Sequence, residues 1–280
     1  MSTYPAVIVG TDGSATAAEA VRRAALVAGR FGARLLVVTA FQRPRPEDMG
    51  PASELAGQSQ EALISTSYRG AAEAAQDAAT MAARLVPGLS VDTATPEGEP
   101  AEQLLEMAEV NPGALLTVGS QGMTGSKRFL LGSVPNKVSH HLVGDLLIFR
   151  TGVGRPVEPP SSVLVGTDGS ATATRALDRA IAVARDLGAT LTVLTVNGDA
   201  EQGRRVLDEA ASRAEQAGVT CQTALRTGDP AEAIVAEGQS ADLVVLGSQG
   251  MTGAGRFLLG SVPNKVSHHA SSDLLIVKTS

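Results

Sequence analysis

Aromatic residues and cysteines are almost absent from this chain. Tryptophan does not occur, and the aromatic residues together make up 2% of the 280 positions. A core must therefore be packed from Ala, Val, Leu and Ile. Cys221 is the single cysteine, which excludes a disulfide bond within the chain and is typical of a reducing compartment.

Long hydrophobic runs are missing as well. No apolar stretch approaches the roughly 20 residues that a membrane span requires. The first residues, MSTYPAVIVG, lack the basic region and the apolar core of a signal peptide. We therefore expect a soluble, cytoplasmic protein with no membrane partner.

Positive charge is in deficit, since 23 Lys and Arg residues stand against 29 Asp and Glu residues and give a net charge of −6. This balance argues against nucleic acid or an anionic membrane as the main partner. It does not exclude a small anion, because backbone N–H groups can bind one locally without any effect on the net charge.

Two long phrases occur twice in the chain. Residues 120–141 read SQGMTGSKRFLLGSVPNKVSHH and residues 248–269 read SQGMTGAGRFLLGSVPNKVSHH, so they differ at only two positions. The phrase GTDGSATA likewise occurs at 10–17 and at 166–173. Repeats of this length in the same order indicate a duplicated unit. The most similar stretches are glycine-rich, which a packed core does not need, so the duplication also suggests two equivalent sites.

The spacing of the repeats locates the domain boundaries. The first unit carries about 28 more residues between the two phrases than the second, and we assign this excess to an insertion at about 42–67. The Gly- and Pro-containing stretch RTGVGRPVEPPSS indicates a linker. We predict a first domain at 1–151, a linker at 152–161 and a second domain at 162–280.

Each unit alternates short aliphatic runs with longer Ala-rich amphipathic stretches. Continuous apolar runs are typical of strands that are covered on both faces, and so of a parallel sheet. The helices that follow include Thr16–Phe31, with a T-x-x-E start at Thr16 and Glu19, and a helix from about Arg69 to Leu85. This order predicts an α/β protein of two tandem Rossmann-like domains, each a five-stranded, mostly parallel sheet flanked by helices.

The second repeated phrase has the pattern G-x2-G-x9-G-S. Its two first glycines let the backbone approach a ligand closely. The Gly-Ser pair opens a helix, whose N-terminal N–H groups form a cradle for phosphate. Arg128 and Arg256 lie inside the nine-residue spacer and could meet phosphate charge. The pattern is not a P-loop, because Thr124 stands where that motif needs glycine, and GTDGS is not the dinucleotide fingerprint.

Together, VGTDGS and G-x2-G-x9-G-S resemble the universal stress protein family, specifically its ATP-binding branch in tandem form with an adenine nucleotide alpha hydrolase-like fold. The resemblance covers both units. It implies a nucleotide-dependent stress-response sensor or regulator with one ATP site per domain. The implied ATP-binding residues are Asp12, Gly119, Gly122, Arg128, Gly132, Ser133 and Val134 in the first domain, and Asp168, Gly247, Gly250, Arg256, Gly260, Ser261 and Val262 in the second.

The resemblance implies further properties that the residues alone do not require. It allows bound Mg2+ and slow ATP turnover, a pairing of the two fifth strands between the domains, and a homodimer with an unidentified regulatory protein partner. No repeated residue is an obvious general base, so we assign no catalytic residue. Two rival functions stay open: a slow ATPase or nucleotidyl-transfer enzyme, and a nucleotide-free dimerisation scaffold.

Several residues have a simpler interpretation. Asp12 and Asp168 precede glycine, which also suits a turn that opens a helix. The histidine pairs at 140–141 and 268–269 offer one ligand per helix face, so we predict no metal site and expect them to face the last helical carbonyls. Lys127 stands opposite Gly255 in the second copy, which predicts a somewhat tighter phosphate site in the first domain.

Overall fold

A computed structural model of the protein describes residues 2–43, 60–120, 131–141, 144–151, 157–248 and 260–279. The first-domain strands are β1 (Ala6–Gly10), β2 (Arg34–Val38), β3 (Val91–Ala94), β4 (Leu115–Gly119) and β5 (Asp145–Phe149). Its helices are α1 (Ala15–Phe31), α2 (Gln60–Leu85), α3 (Pro100–Glu109) and α4 (Ser133–His141).

The second domain repeats the same alternation. Its strands are β6 (Ser162–Gly166), β7 (Thr190–Val196), β8 (Cys221–Arg226), β9 (Leu243–Gly247) and β10 (Asp273–Val277). Its helices are α5 (Ala171–Leu187), α6 (Ala200–Gln216), α7 (Pro230–Gly238) and α8 (Ser261–His269). The predicted fold class, two tandem Rossmann-like domains, is confirmed.

All ten strands form one continuous sheet in the order β3-β2-β1-β4-β5-β10-β9-β6-β7-β8. Neighbours within each domain are parallel, and β5 and β10 meet antiparallel at the junction. The pairing of the two fifth strands between the domains is thereby confirmed. It sets the domains in a pseudo-twofold arrangement within one chain.

Helices cover both faces of the sheet, which is why the central strands are continuously apolar. Val7, Ile8 and Val9 of β1 are fully buried. Because successive strand side chains point to opposite faces, Val7 and Val9 belong to the apolar cluster that includes residues of α1, α2, α5 and α6, while Ile8 belongs to the cluster that includes residues of α3, α4, α7 and α8. Alanine supplies much of the helix side of the core, consistent with the lack of aromatic residues.

Helix α1 begins earlier than the sequence predicted. Ser14 is the N-cap, and its hydroxyl accepts the N–H of Ala17 at 3.2 Å. The predicted capping box at Thr16 and Glu19 is therefore wrong. Gly13, with φ of +77°, turns the chain so that Ser14 reaches the capping position first, and Thr16 falls inside the first helical turn.

Helix α2 is longer than the sequence predicted and begins at Gln60 instead of about Arg69. Part of the predicted insertion at 42–67 is therefore helical, and residues 44–59 lie outside the described part of the chain. The added turns have packing partners, since Leu63 is buried and the Tyr68 ring contacts Phe41 edge-on at 5.5 Å between centroids. No helix among the described residues has the length and apolarity to cross a membrane.

Two Arg–Asp ion pairs cross the junction between the domains. Arg23 of α1 binds Asp273 of β10 through both carboxylate oxygens, at 3.0 and 2.7 Å. In the equivalent place, Arg179 of α5 binds Asp145 of β5 at 2.9 Å. The first pair is buried, with side chains 5% and 1% exposed, whereas the Arg179 side chain in the second pair is 35% exposed.

Further hydrogen bonds complete the surroundings of both pairs. Asp273 also accepts the backbone N–H of Arg150 at 2.8 Å, and the Arg150 guanidinium donates to the carbonyl of Ser267 at the end of α8. Asp145 accepts the Tyr4 hydroxyl at 2.8 Å and the backbone N–H of Lys278 at 2.9 Å. Burial, and then the Asp145 charge, raise the pKa of Tyr4 well above its usual value.

Candidate nucleotide site

The repeated motifs meet at the carboxyl ends of β1 and β4. These two strands are neighbours in the sheet, and the strand order reverses between them, since β2 and β3 lie on one side and β5 on the other. Such a topological switch point leaves a crevice in which α/β proteins bind ligands. The second domain has the same arrangement at the ends of β6 and β9.

The loop after β1 is a tight turn built by its own side chains. Asp12 accepts the Ser14 N–H through Oδ1 at 3.0 Å, and the Thr11 hydroxyl accepts the Gly13 N–H at 3.2 Å. In the second domain Asp168 accepts the Ser170 N–H at 2.9 Å. Both aspartates thus have the turn role, while their carboxylates stay exposed beside the crevice.

The glycine-rich loop after β4 is closed at its base. The Ser120 N–H donates to the carbonyl of Phe149 at 2.8 Å, and the Ser120 carbonyl accepts the N–H of Gly132 at 2.9 Å. Its hydroxyl accepts the N–H of Thr151 at 3.3 Å. Ser248 makes the same three hydrogen bonds in the second domain: its N–H donates to Val277, its carbonyl accepts from Gly260 and its hydroxyl accepts from Thr279. The sequence analysis assigned these serines no role, although their repetition was a signal.

Helices α4 and α8 begin without a side-chain cap. The Gly132 carbonyl accepts the first intrahelical bond of α4, from Asn136 at 3.1 Å, so Gly132 is its N-cap and has no side chain to offer. Gly260 occupies the same position on α8 and makes no side-chain cap hydrogen bond. The N–H groups of Ser133 and Val134 have no partner among the described residues, which leaves two donors at the positive end of the helix dipole.

An open cavity of about 290 Å³ lies at this point of the first domain. Its walls are apolar and come mainly from Val38, Ala40, Leu104 and Val118, which the sequence reasoning did not identify. These residues stand at strand ends or on the first turns of α3. Their positions next to the end of β1 were the one sequence feature that could have indicated a role in the site. The remaining lining comprises Gly10, Thr11, Asp12, Ala17, Pro100, Gly119, Gly132, Ser133, Val134 and Pro135.

The structure therefore brings together five predicted site residues of the first domain around one cavity: Asp12, Gly119, Gly132, Ser133 and Val134. The second-domain residues Asp168, Gly247, Gly260, Ser261 and Val262 occupy the equivalent places on β6, β9 and α8. Gly122, Arg128, Gly250 and Arg256 lie outside the described residues, as do Lys127 and Gly255.

Lys137 of α4 forms ion pairs with α3, and both helices line the cavity. Its ammonium binds Glu99 at 3.1 Å and Glu102 at 2.9 Å, on the first turn of α3. Hydrogen bonds to Glu102 and Glu99 raise the pKa of Lys137. Lys265 makes the same contacts to Asp229 and Glu232 in the second domain. These lysines position the two helices and are engaged in ion pairs beside the cavity.

Metal ligands do not cluster in the described part of the chain, where no group of three His, Cys, Asp or Glu residues could hold an ion. The expectation for the histidines holds for His269, whose Nδ1 lies 2.7 Å from the carbonyl of Lys265. It fails for His140 and His268, whose Nδ1 atoms are buried without a hydrogen-bond partner in the described residues.

Comparison with known proteins identifies the family. The model of the universal stress protein family matches residues 3–150, 161–209 and 198–278. The chain belongs to the universal stress protein family. Universal stress protein Rv1636 of Mycobacterium tuberculosis is 35% identical over 155 residues, which cover 54% of this chain and 99% of that protein. A universal stress protein of Mycolicibacterium smegmatis is 28% identical over 97% of this chain and 96% of its own length.

A solved universal stress protein shares the tandem architecture along its whole length. The crystal structure of a universal stress protein from Archaeoglobus fulgidus DSM 4304 superposes with a TM-score of 0.73, covers 99% of each chain and is 21% identical. This likeness extends the fold, and the fold alone, to the complete chain.

Proposed function

We propose that this universal stress protein binds ATP at the crevice between β1 and β4 and acts as a nucleotide-dependent stress-response regulator. The observation that carries the proposal is the glycine-capped start of α4, which presents two unpaired N–H groups to an apolar-walled cavity at the topological switch point. Helix N-termini of this kind bind phosphate, and apolar walls suit a nucleoside base.

The chemistry of the cavity favours binding over turnover. Asp12 is the single carboxylate among the described residues of the lining, and one of its oxygens is used by the turn. Hydrolysis needs a group that orients or deprotonates the attacking water, and no described lining residue is placed for that task. We therefore propose that ATP, with or without Mg2+, changes conformation or partner binding. A cytoplasmic location, a homodimer and a regulatory protein partner belong to the same proposal.

A charge placed at the helix cap tests the phosphate cradle. In Gly132→Asp the carboxylate should cap Ser133 and Val134 itself and repel phosphate, because Asp is a preferred N-cap residue. A Cβ at Gly132 meets nothing closer than 3.6 Å, so the fold should be kept. We expect calorimetric titration with ATP to show one site fewer per chain than the unmodified protein, with an undiminished Tm.

Two further variants separate the causes. Gly132→Ala adds the Cβ without a capping group and should bind ATP nearly as well as the unmodified protein. Gly132→Asn caps the helix without a charge and should fall between Ala and Asp. If Gly132→Asp binds ATP as tightly as the unmodified protein, the cradle does not hold phosphate. If the unmodified protein binds no ATP, the nucleotide proposal fails and the dimerisation scaffold is favoured.

A further inference from the structure

The two crevices have equivalent frames but different walls. In the first domain Gly10 of β1 pairs with Val38 of β2, and in the second Gly166 of β6 pairs with Leu194 of β7. Val38 and Leu194 are therefore equivalent positions. Two residues later in the sequence of each domain, Ala40 corresponds to Val196.

The strand on the other side of each crevice differs in the same direction. Val118 is the penultimate residue of β4, and Leu246 is the penultimate residue of β9. On the facing helix, Leu104 of α3 corresponds to Ile234 of α7, which has the same number of carbon atoms. Three of the four apolar wall positions therefore carry a larger side chain in the second domain, and none carries a smaller one.

The larger side chains are buried in the wall of the second crevice. Leu194 and Leu246 are buried, with exposures of 1% and 4%, and Val196 packs against the same apolar cluster. A Cβ built on Gly166 would lie 3.0 Å from Ile234 and 3.4 Å from Leu246. In the first domain a Cβ on Gly10 would lie 2.8, 3.2 and 3.5 Å from three atoms of Leu104.

Leu246 thus extends to the end of β6, where it would contact a Cβ at Gly166. Val-to-Leu changes add one carbon each at two positions and the Ala-to-Val change adds two. In a close-packed interior even one methylene is felt. The added carbons belong to side chains whose first-domain equivalents line the open cavity of about 290 Å³.

The base of the phosphate loop and the start of the following helix are the same in both domains. Gly260 closes its loop on Ser248 at 2.9 Å, as Gly132 does on Ser120, and α8 starts with the same residues as α4. Among the described residues, the difference between the two crevices therefore lies at the apolar end, which a nucleoside base would occupy.

We propose that only the first domain admits a complete nucleoside triphosphate, and that the second crevice excludes the base, so that each chain binds one nucleotide. This inference rests on the proposed function and narrows the expectation of one ATP per domain. Base selection in the first domain then depends on the small side chains Val38, Ala40 and Val118.

The test counts ATP sites in the full-length protein by calorimetry after bound nucleotide has been removed. The unmodified chain should bind one ATP. The double variant Val118→Leu/Ala40→Val should lose at least tenfold in ATP affinity. Its fold should be kept, because the second domain carries these same residue types at the equivalent positions. The double variant Leu246→Val/Leu194→Val should gain a second ATP per chain.

A matched control is Leu164→Val, which shortens a buried residue of the same apolar cluster in the middle of β6 and should leave one site. Two equal sites in the unmodified protein would overturn the inference and leave the proposed function standing. Unchanged affinity in Val118→Leu/Ala40→Val would also overturn it. No ATP bound by any form would reject the proposed function and the inference together.

Discussion

The junction between the domains offers a test in which the protein supplies its own control. Asp273 and Asp145 occupy equivalent positions and each binds an arginine from the other domain. Truncation of either to Ala leaves that arginine without its partner. The consequence depends on whether the arginine can reach water, because an uncompensated buried charge is strongly destabilising.

The exposures set the expected magnitudes. In Asp273→Ala the guanidinium of Arg23 stays sealed at 5% exposure, and the Arg150 N–H loses its acceptor. We expect a loss of about 3–5 kcal/mol in the free energy of unfolding. In Asp145→Ala the side chain of Arg179 is 35% exposed and can hydrate. The cost should be about 1–3 kcal/mol, mainly from the polar groups that lose their acceptor.

The assay is urea unfolding followed by circular dichroism, with calorimetry to show whether the two domains still unfold together. Asp273→Ala should also lower the Tm by on the order of 10 °C, given about 2–4 °C per kcal/mol for a chain of this size class. The double variant Arg23→Met/Asp273→Leu should recover most of the loss, because apolar replacement of a buried ion pair is often neutral. If Asp145→Ala proves as costly as Asp273→Ala, burial is not the factor that separates the two pairs.

The remaining predictions concern pH and the turn aspartate. Burial, followed by the positive charges of His269, Arg150 and His140, lowers the pKa of His268. The unfolded state therefore binds more protons, so stability is full above about pH 6.5 and falls as pH drops through the folded pKa. His268→Gln should reduce the change in the urea unfolding midpoint between pH 7.5 and 5. If the midpoint of the variant changes with pH as much as that of the unmodified protein, His268 is not the cause of the pH dependence. Asp12→Asn keeps an oxygen for the turn but removes the charge, so stability should hold while ATP affinity falls about tenfold; unchanged affinity in calorimetry would leave Asp12 with the turn role alone.

The sequence was most informative where one local rule acted without competition. Strands such as Ala6–Gly10 are continuously apolar because both faces are covered, and this pattern predicted the parallel sheet. The N-cap of α1 was assigned to Thr16 instead of Ser14, and both residue types suit that position. The positive φ of Gly13, which decided between them, is a property of the folded turn.

Tertiary pairing explains the features that were missed. Asp273 reads as a polar residue before an apolar strand, and nothing local indicates that its partner is Arg23, 250 positions earlier. The motif glycines were visible because glycine is required wherever the backbone must approach a ligand. The walls formed by Val38 and Val118 were not visible, because an apolar residue at a strand end has the same appearance whether it fills a core or borders a cavity.

The antiparallel contact between β5 and β10 has a consequence for how the two halves can evolve. When such a contact joins two identical chains, every substitution is present on both sides of the axis, and the two sites cannot differ. Here the contact joins Leu146 to Ile276 within one polypeptide, so it forms at an effective concentration that does not depend on dilution. Each half is encoded separately, and one crevice can change its residues while the other keeps its own.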